Sequence, residues 1–234
     1  MLFLCSLPVQ AADMEERYIR NIGALTEDEC ARLLCKKVFV AGCGGLGGHI
    51  LDQLLRVGVG EVRTADGDVF DVSNLNRQLL SSVEVLGVSK AETAAAHAAK
   101  VNPGVRFTAY KEFITEENAD RMIAGCDAVI DALDSIPARR LLKAACDRQG
   151  IPYIFGAISG WTAQAAVSLP GDGFLDRLYP AEVKVKSKTV LAFTPALCAS
   201  LQTALCVRLL TGREVEPGKL CYFDLSDLEF ETLF

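Results

Sequence analysis

The feature that most constrains the fold is a short apolar segment that runs directly into a glycine-rich turn. Residues 38–41 read Val-Phe-Val-Ala, and an apolar segment of helical periodicity follows over 46–57, so the order predicts a strand, a turn and a helix. Three glycines of the turn, Gly42, Gly44 and Gly47, have G-x-G-x-x-G spacing. In that pattern the first glycine permits a tight turn, the second lets the backbone approach phosphates, and the third packs the helix on the strand. Because a helix also begins with free N–H groups, the segment predicts a nucleotide-phosphate site.

Strand-like and helix-like segments alternate along most of the chain. We predict strands over 38–41, 61–65, 106–110, 128–131 and 153–156, and helices over 27–35, 46–57, 90–101, 115–124 and 136–149. Two helix starts carry the sequence of a capping box, Thr26 with Glu29 and Ser89 with Glu92. This alternation predicts an α/β fold, with a Rossmann-like, mostly parallel sheet that has helices on both faces and binds ligands at the carboxyl ends of its strands.

The pattern changes after Gly160, where C-terminal antiparallel strands are expected to join the sheet. The segments there are a strand over 162–169, an irregular lysine-bearing stretch to about residue 194, an apolar helix over 195–210 and a terminal strand over 218–228. We expect the irregular stretch to be a mobile loop and the apolar helix to be buried.

Residues 13–234 contain no linker and no repeat, which favours a single domain. Residues 1–12 imitate a signal peptide but have no Lys or Arg before the apolar run, so we interpret them as a disordered or mis-started extension.

Composition excludes several classes of protein. The net charge is −6, which argues against broad contact with the phosphates of DNA or RNA. No stretch of about 18 apolar residues is free of charge, so we expect no membrane span. Nine cysteines include no C-x-x-C pair, so neither a zinc ribbon nor a dithiol motif is predicted, and buried reduced thiols suit a cytoplasmic protein. Half of the residues are hydrophobic, and the apolar surface left over favours a dimer.

Acidic side chains follow the second predicted strand. Asp66 comes about 20 residues after the glycine turn, where a carboxylate would bond to a ribose hydroxyl, and Asp68 lies beside it. An ordinary acidic turn is the alternative interpretation. Up to this point the chain would fit a nicotinamide enzyme equally well.

Cationic and amide side chains then favour a triphosphate. Asn74, Arg77 and Gln78 come just after that strand, and Lys90 opens the next helix, an arrangement that suits the oxygens of a triphosphate. Asp134, after the fourth strand, would hold Mg²⁺ against phosphate oxygens. Singly, Arg77 could be a surface ion pair, Lys90 a solvated helix residue and the Asp134 segment a helix cap.

Together these segments resemble the ThiF/MoeB/HesA family, the bacterial relatives of ubiquitin-activating enzymes. The resemblance runs from Glu16 to the C-terminus, and its motifs are Arg17-Tyr-Ile-Arg20-Asn21, the glycine turn with the pair Gly44-Gly45, Asp66-Gly-Asp68, Ser73-Asn-Leu-Asn-Arg-Gln78, Lys90, Asn102-Pro103 and Asp131-Ala-Leu-Asp134.

The resemblance implies a reaction. The domain would be an ATP-binding adenylyltransferase, in which the C-terminal glycine carboxylate of a small ubiquitin-like sulfur carrier ending in Gly-Gly attacks the α-phosphate of ATP and pyrophosphate leaves. A terminal carboxylate has a pKa of about 3.3–3.7, so it is already an ionised nucleophile and needs no general base. We accordingly interpret the two histidines, His49 and His97, as packing or surface residues.

The resemblance also implies roles for individual residues. Arg77 and Lys90 would bind the triphosphate, Asn74 and Gln78 would orient it, Asp66 would bind the ribose and Asp134 the Mg²⁺. Gly42, Gly44, Gly45, Gly47 and Asp68 would complete the nucleotide site. Arg20 would reach the partner's site in a homodimer, with Arg17 as the competing candidate.

The chain departs from the family pattern at three places. The C-x-x-C pairs that bind zinc in many members are missing, so no structural zinc is predicted. Lys184, Lys186 and Lys188 stand where some members have a cysteine that bonds to the carrier, and Ser135 replaces the usual asparagine.

Three alternatives stay open at this point: ATP-dependent activation of a carboxylate on a modified tRNA base, a NAD-binding dehydrogenase or sensor, and a non-catalytic scaffold that binds a carrier tail.

Overall fold

The computed structural model of the protein describes residues 16–180 and 189–234. Its strands are β1 (Lys37–Ala41), β2 (Glu61–Ala65), β3 (Arg106–Tyr110), β4 (Ala128–Asp131), β5 (Tyr153–Ser159), β6 (Thr162–Ser168), β7 (Leu220–Asp224) and β8 (Glu229–Leu233). Its α-helices are α1 (Glu27–Leu34), α2 (Gly45–Val57), α3 (Lys90–Val101), α4 (Ala119–Ile123), α5 (Ile136–Gln149), α6 (Phe174–Leu178) and α7 (Phe193–Thr211). A 3₁₀ helix over Glu16–Asn21 precedes α1.

The described strands form one sheet in the order β3-β2-β1-β4-β5-β6-β7-β8. The first five strands in that order are parallel, and β6, β7 and β8 continue the sheet in antiparallel pairing. The predicted fold class is therefore confirmed. Because β1 lies between β2 and β4, the loops that follow these three strands meet at one edge of the sheet.

Helices cover both faces of the sheet. One core contains buried side chains of α1, α2, α3 and α7, and the other contains side chains of α4, α5 and α6. The apolar positions of α2 recur at helical spacing, so Leu46, Ile50 and Leu54 are all buried in the first of these cores. That helix ends at Gly58, whose φ of 92° is the left-handed conformation typical of a glycine helix cap.

Helix α7 is long and apolar enough to cross a membrane, by length and composition alone. In the fold it packs against α2 and across β5 and β6, which explains why it is apolar nearly all round. The buried Gln202 of α7 donates from Nε2 to the carbonyl oxygens of Asp131 at 2.7 Å and Ile154 at 3.3 Å. Its carboxamide fills the space over Gly156, where a Cβ would overlap it.

Some predicted boundaries are wrong for identifiable physical reasons. The helix predicted over 115–124 begins only at Ala119, because Asn118 uses its side chain to accept from the N–H of Thr115 and forms a local turn. The terminal strand predicted over 218–228 is instead β7 followed by a turn and then β8.

The two capping boxes have different outcomes. Thr26 and Glu29 form both reciprocal hydrogen bonds. Ser89 accepts from the N–H of Glu92, but the Glu92 carboxylate pairs with Lys111 instead. The stretch that was predicted to be irregular is partly helical, because it contains α6 (Phe174–Leu178). Its residues 181–188, which include the three lysines, and the extension at 1–12 lie outside the described residues.

Candidate nucleotide site

The glycine turn between β1 and α2 has the geometry that its sequence predicts. Gly42 has a φ of 99°, a conformation that only glycine adopts without strain. A Cβ on Gly47 would lie 2.7 Å from the carbonyl carbon of Gly42 and closer still to its oxygen, so the helix meets the turn where only glycine fits. Gly44 caps α2 without a side-chain hydrogen bond, which leaves N–H groups of the first turn available to an anion.

Asp66 is fixed against this turn. Its Oδ2 accepts from the backbone N–H of Cys43 at 2.7 Å, and its Oδ1 accepts from the N–H of Asp68 at 2.9 Å. Burial raises the pKa of the Asp66 carboxyl, and these two N–H groups act in the opposite direction by stabilising the carboxylate. The side chain is 8% exposed, so it lies at the rim of the turn with two hydrogen bonds that hold its orientation.

Lys90 and Asp68 lie beside Asp66. The Lys90 ammonium is 3.2 Å from Asp68 Oδ2, and the Lys90 side chain is buried whereas that of Asp68 is exposed. A buried ammonium whose ion-pair partner among the described residues faces solvent can exchange that partner for a phosphate.

Gln78 and Arg77 contact the glycine turn from the loop after β2. A Cβ on Gly44 would lie 3.6 Å from Gln78 Nε2, and one on Gly45 would lie 4.0 Å from Arg77 Cγ. Gln78 is 7% exposed, and its buried Oε1 has no hydrogen-bond partner among the described residues. Arg77 donates from Nη1 to the carbonyl oxygen of Ser73 at 2.8 Å.

Asn74 serves its own loop in this structure. The Asn74 Oδ1 accepts from the N–H of Asp71 at 3.1 Å, and Asp71 in turn accepts from Ser73, which closes a capping box. The structure therefore shows Asn74 holding the loop that carries Arg77 and Gln78.

Asp134 is exposed, in the loop that follows β4. The backbone of the preceding residue, Leu133, is fixed at both of its polar groups. Its N–H donates to Asp131 Oδ1 at 2.8 Å, and its carbonyl oxygen accepts from Arg139 Nη2 at 2.6 Å. This loop also adjoins the glycine turn, since a Cβ on Gly42 would lie 3.0 Å from the carbonyl oxygen of Ala132.

A buried network beneath that loop was not predicted from the sequence. Asp131 Oδ2 accepts from Arg139 Nη1 at 2.7 Å and from the Tyr153 hydroxyl at 2.6 Å, and all three side chains are buried. Burial raises the pKa of the Asp131 carboxyl, and the guanidinium of Arg139 opposes that shift. The available sequence signal was a carboxylate ending an apolar strand, which requires a buried cation somewhere in the fold.

Arg20 and Arg17 differ in their surroundings. Arg17 Nη1 donates to Asn102 Oδ1 at 2.6 Å, on its own subunit. Arg20 is exposed and forms no hydrogen bond or ion pair with any described residue. It lines a groove of about 350 Å³ with Gln53 and Val57 at the far end of α2 from the glycine turn.

Two of the described thiols are too deeply buried to act as nucleophiles. Burial raises the pKa of the Cys43 and Cys198 thiols to about 12, so both are protonated at neutral pH. Desolvation lowers the pKa of His49, and His97 Nε2 lies 2.9 Å from Asp52 Oδ1 at the protein surface. Within residues 16–180 and 189–234, no three His, Cys, Asp or Glu side chains are grouped as metal ligands would be.

Comparison with known proteins identifies the family. The model of the ThiF family matches residues 18–233, nearly the whole chain. The chain belongs to the ThiF family. The resemblance inferred from the motifs is thus confirmed.

Two relatives of this ThiF-family chain cover most of its length. It is 35% identical over 228 residues to the SAMP-activating enzyme E1 of Haloferax volcanii, an alignment that covers 93% of this chain and 84% of that protein. It is also 35% identical over 215 residues to the sulfur carrier protein adenylyltransferase of Thermus thermophilus, covering 86% of this chain and 79% of that protein.

Solved structures confirm the fold. The crystal structure of Escherichia coli MccB with ATP has a TM-score of 0.80 and 20% identity, covering 95% of this chain and 72% of that one. MccB with MccA-N7isoASN has a TM-score of 0.82 and 21% identity, covering 94% of this chain and 71% of that one.

Proposed function

We infer that this protein is an ATP-dependent adenylyltransferase that activates the C-terminal glycine carboxylate of a small ubiquitin-like sulfur-carrier protein. The observation that carries the inference is the convergence of Asp66, Arg77 and Gln78 on the glycine turn. The chain also covers most of two relatives that are named for activating SAMP and a sulfur carrier.

The reaction requires the protein to position two anions rather than to move a proton. One carboxylate oxygen of the carrier attacks the α-phosphorus of ATP, and the bond from that phosphorus to the oxygen bridging to the β-phosphate breaks. The products are an acyl-adenylate and pyrophosphate, with no proton transferred in the step. Because the carboxylate is already ionised at neutral pH, protonated thiols are compatible with the reaction and no imidazole is required as a general base.

Charge stabilisation would come from the residues around the glycine turn. We propose that the N–H groups at the start of α2 and the side chains of Arg77 and Lys90 hold the triphosphate, while Asp66 binds the ribose. Lys90 would exchange its pairing with Asp68 for a phosphate oxygen. Gln78, which has a buried oxygen without a partner among the described residues, would orient the nucleotide, with Asn74 holding its loop. Fixed cations and dipoles of this kind are the largest source of catalysis in phosphoryl transfer.

The residues fit Mg²⁺ bound largely by the substrate. Mg²⁺ prefers oxygen ligands and usually takes only one or two carboxylates from the protein, the rest being phosphates and water. Asp134 is an exposed carboxylate on a loop whose preceding backbone is fixed, so it would hold the ion. When bound, the ion would neutralise phosphate charge.

We further propose that the enzyme works as a homodimer in which Arg20 reaches the partner's nucleotide. Gln53, which lines the groove beside Arg20, lies about 12 Å along α2 from Gly45, so Arg20 is remote from its own glycine turn. The neighbouring Ile19 and Ile22 are exposed by 62% and 39%, and apolar side chains of this size are commonly covered by a partner.

The cytoplasm is the proposed location. No disulfide joins any of the eight described cysteines, which suits a compartment that keeps thiols reduced.

The decisive experiment is formation of the carrier adenylate. The protein is incubated with ATP, Mg²⁺ and candidate small proteins ending in Gly-Gly, and intact-mass spectrometry detects the adenylate. Each carrier lacking its last two glycines serves as the substrate control. Arg77→Ala should reduce the rate on the order of 10²-fold or more.

Arg148→Ala is the matched control, because it removes an equally cationic side chain from the surface of α5, where Arg148 pairs with Asp120 of α4. Its rate should equal that of the wild type. Binding of ATP without adenylation of any carrier ending in Gly-Gly would refute the proposed function.

A further inference from the structure

Asn102 holds the segment that carries Arg20. It is 2% exposed, and its carboxamide is satisfied on both sides. Its Nδ2 donates to the Tyr18 hydroxyl at 2.6 Å and to the carbonyl oxygen of Leu55 at 2.7 Å. Its Oδ1 accepts from Arg17 Nη1 at 2.6 Å and from the N–H of Gly104 at 3.2 Å. One buried side chain thus joins the 3₁₀ helix, α2 and the end of α3.

Two further contacts join the 3₁₀ helix to the end of α2. The ring of Tyr18 lies against Gly58, where a Cβ would come within 2.8 Å of Tyr18 Cε1. Asn21 Nδ2 donates to the carbonyl oxygen of Val57 at 3.3 Å. Tyr18 is therefore buried and Asn21 half-buried, while Arg20 between them is exposed.

We propose that Asn102 is a positioning residue for adenylation that acts in trans, by fixing the 3₁₀ helix so that Arg20 points at the nucleotide of the partner subunit. This inference rests on the proposed function and on the dimer described above. It assigns a role to the Asn102-Pro103 pair, and it explains why Arg17 stays bound to its own subunit while Arg20 projects from it.

A cation that stabilises charge on a phosphate must be placed precisely. A displacement of about 1 Å in a group that contacts a transferring phosphate can cost on the order of 10²-fold in rate. A flexible arginine on a loosely held terminal segment would not reach that precision. Four hydrogen bonds to one buried carboxamide supply the missing rigidity.

The first measurement tests, independently of catalysis, whether Asn102 anchors the 3₁₀ helix, that is, whether its hydrogen bonds hold residues 16–22 in place. Hydrogen exchange of residues 16–22 is compared in wild type, Asn102→Ala and Tyr18→Phe, the last of which keeps the ring and removes one hydrogen bond. Exchange should rise by at least about fivefold in Asn102→Ala and by less in Tyr18→Phe. Asn118→Ala is the matched control, since this asparagine also bonds with both ends of its amide, at Thr115 and Phe113. Unchanged exchange in Asn102→Ala would overturn the proposal.

The second measurement asks whether Asn102 acts on its own site or on the partner's. Asn102→Ala alone should adenylate the carrier on the order of 10²-fold more slowly, with the Kd for ATP unchanged. It is then mixed with Arg77→Ala, which has a defective nucleotide site and an intact anchor. Each mixed dimer contains one complete site, so an equimolar mixture should recover activity at roughly one quarter of all sites.

Tyr18→Phe is also mixed with Arg77→Ala, so that the test remains valid if Asn102→Ala does not fold. A mixture of Arg20→Ala with Arg77→Ala provides the reference for action in trans. Recovery in the Arg20 mixture without recovery in the Asn102 mixture would show that Asn102 acts within its own subunit, which overturns the proposal. Failure of both mixtures overturns the action of Arg20 in trans and the proposal with it. A wild type that forms no adenylate refutes the proposed function itself, and the exchange data distinguish that result from a failed anchor.

Discussion

Replacing Gly47 by alanine tests the geometry of the nucleotide site most directly. The added Cβ would lie 2.7 Å from the carbonyl carbon of Gly42 and nearer to its oxygen, whereas real Cβ atoms keep at least 3.0 Å. The carbonyl would have to retreat by about 1 Å, and Gly42 itself donates to Ala65, so the strand end would move with it. Overpacking of this kind costs about 1–3 kcal/mol. For a protein of this size, that corresponds to a fall in Tm of about 2–12 °C.

The same displacement should weaken ATP binding, because the turn and the first N–H groups of α2 move together. Differential scanning calorimetry and isothermal titration calorimetry with ATP measure the two effects. Gly45→Ala is the matched control for stability: its Cβ would meet Pro195 at 3.7 Å, an ordinary contact, and Gly45 begins the helix. It should leave Tm unchanged or raise it slightly, by about 0.4–1 kcal/mol in unfolding free energy. A Gly47→Ala variant with the wild-type Tm and the wild-type Kd for ATP would refute the argument.

Three other predictions concern ionisable side chains in the core and on the surface. Arg139→Met should cost about 3–5 kcal/mol in unfolding free energy, because it leaves the buried carboxylate at the end of β4 without its cation; a loss under 1 kcal/mol in urea titration would contradict this role. Iodoacetamide should label the exposed Cys35 in the native protein but not Cys43, whose thiol is buried with a pKa of about 12, and peptide mapping would detect the reverse. The Arg213 guanidinium lowers the pKa of Glu29 from 4.5 to about 2, so the stability that the ionised pair contributes is present above about pH 4.5 and lost as pH falls toward 2. The Tm difference between wild type and Glu29→Gln should therefore shrink over that range, and a constant difference would contradict it.

The glycine turn and the parallel strands could be predicted because each rests on a local rule. Gly42, Gly44 and Gly47 occupy positions that the turn, the phosphate approach and the helix contact each require. The two-residue loop between Ser159 and Thr162 also lies in a region where a change of pattern was visible, so the antiparallel extension was anticipated. The split between β7 and β8 could not be predicted, because the turn between them contains Leu228 with a φ of 58°. Leucine rarely adopts a positive φ, so its presence does not indicate a turn.

Long-range partners of the site residues could not be predicted. Nothing local to Asp131 indicates that Arg139 and Tyr153 would meet it, because that meeting depends on how α5 and β5 pack. Arg17 and Arg20 cannot be told apart from the sequence, whereas in the structure Arg17 donates a hydrogen bond to Asn102. The roles proposed for Asn74, Lys90 and Asp134 toward ATP stay predictions until the nucleotide complex is measured.

The insertion of Gln202 over Gly156 constrains how this protein can be redesigned. One amide of α7 donates to a carbonyl oxygen at the end of β4 and to one near the start of β5, so a shift of the helix would displace the strand that precedes Asp134. Any side chain at position 156 would overlap that amide. A shorter residue at position 202 would lose the hydrogen bonds to both carbonyl oxygens. Engineers who wish to alter the far side of the sheet should therefore treat positions 156 and 202 as one unit and vary them jointly.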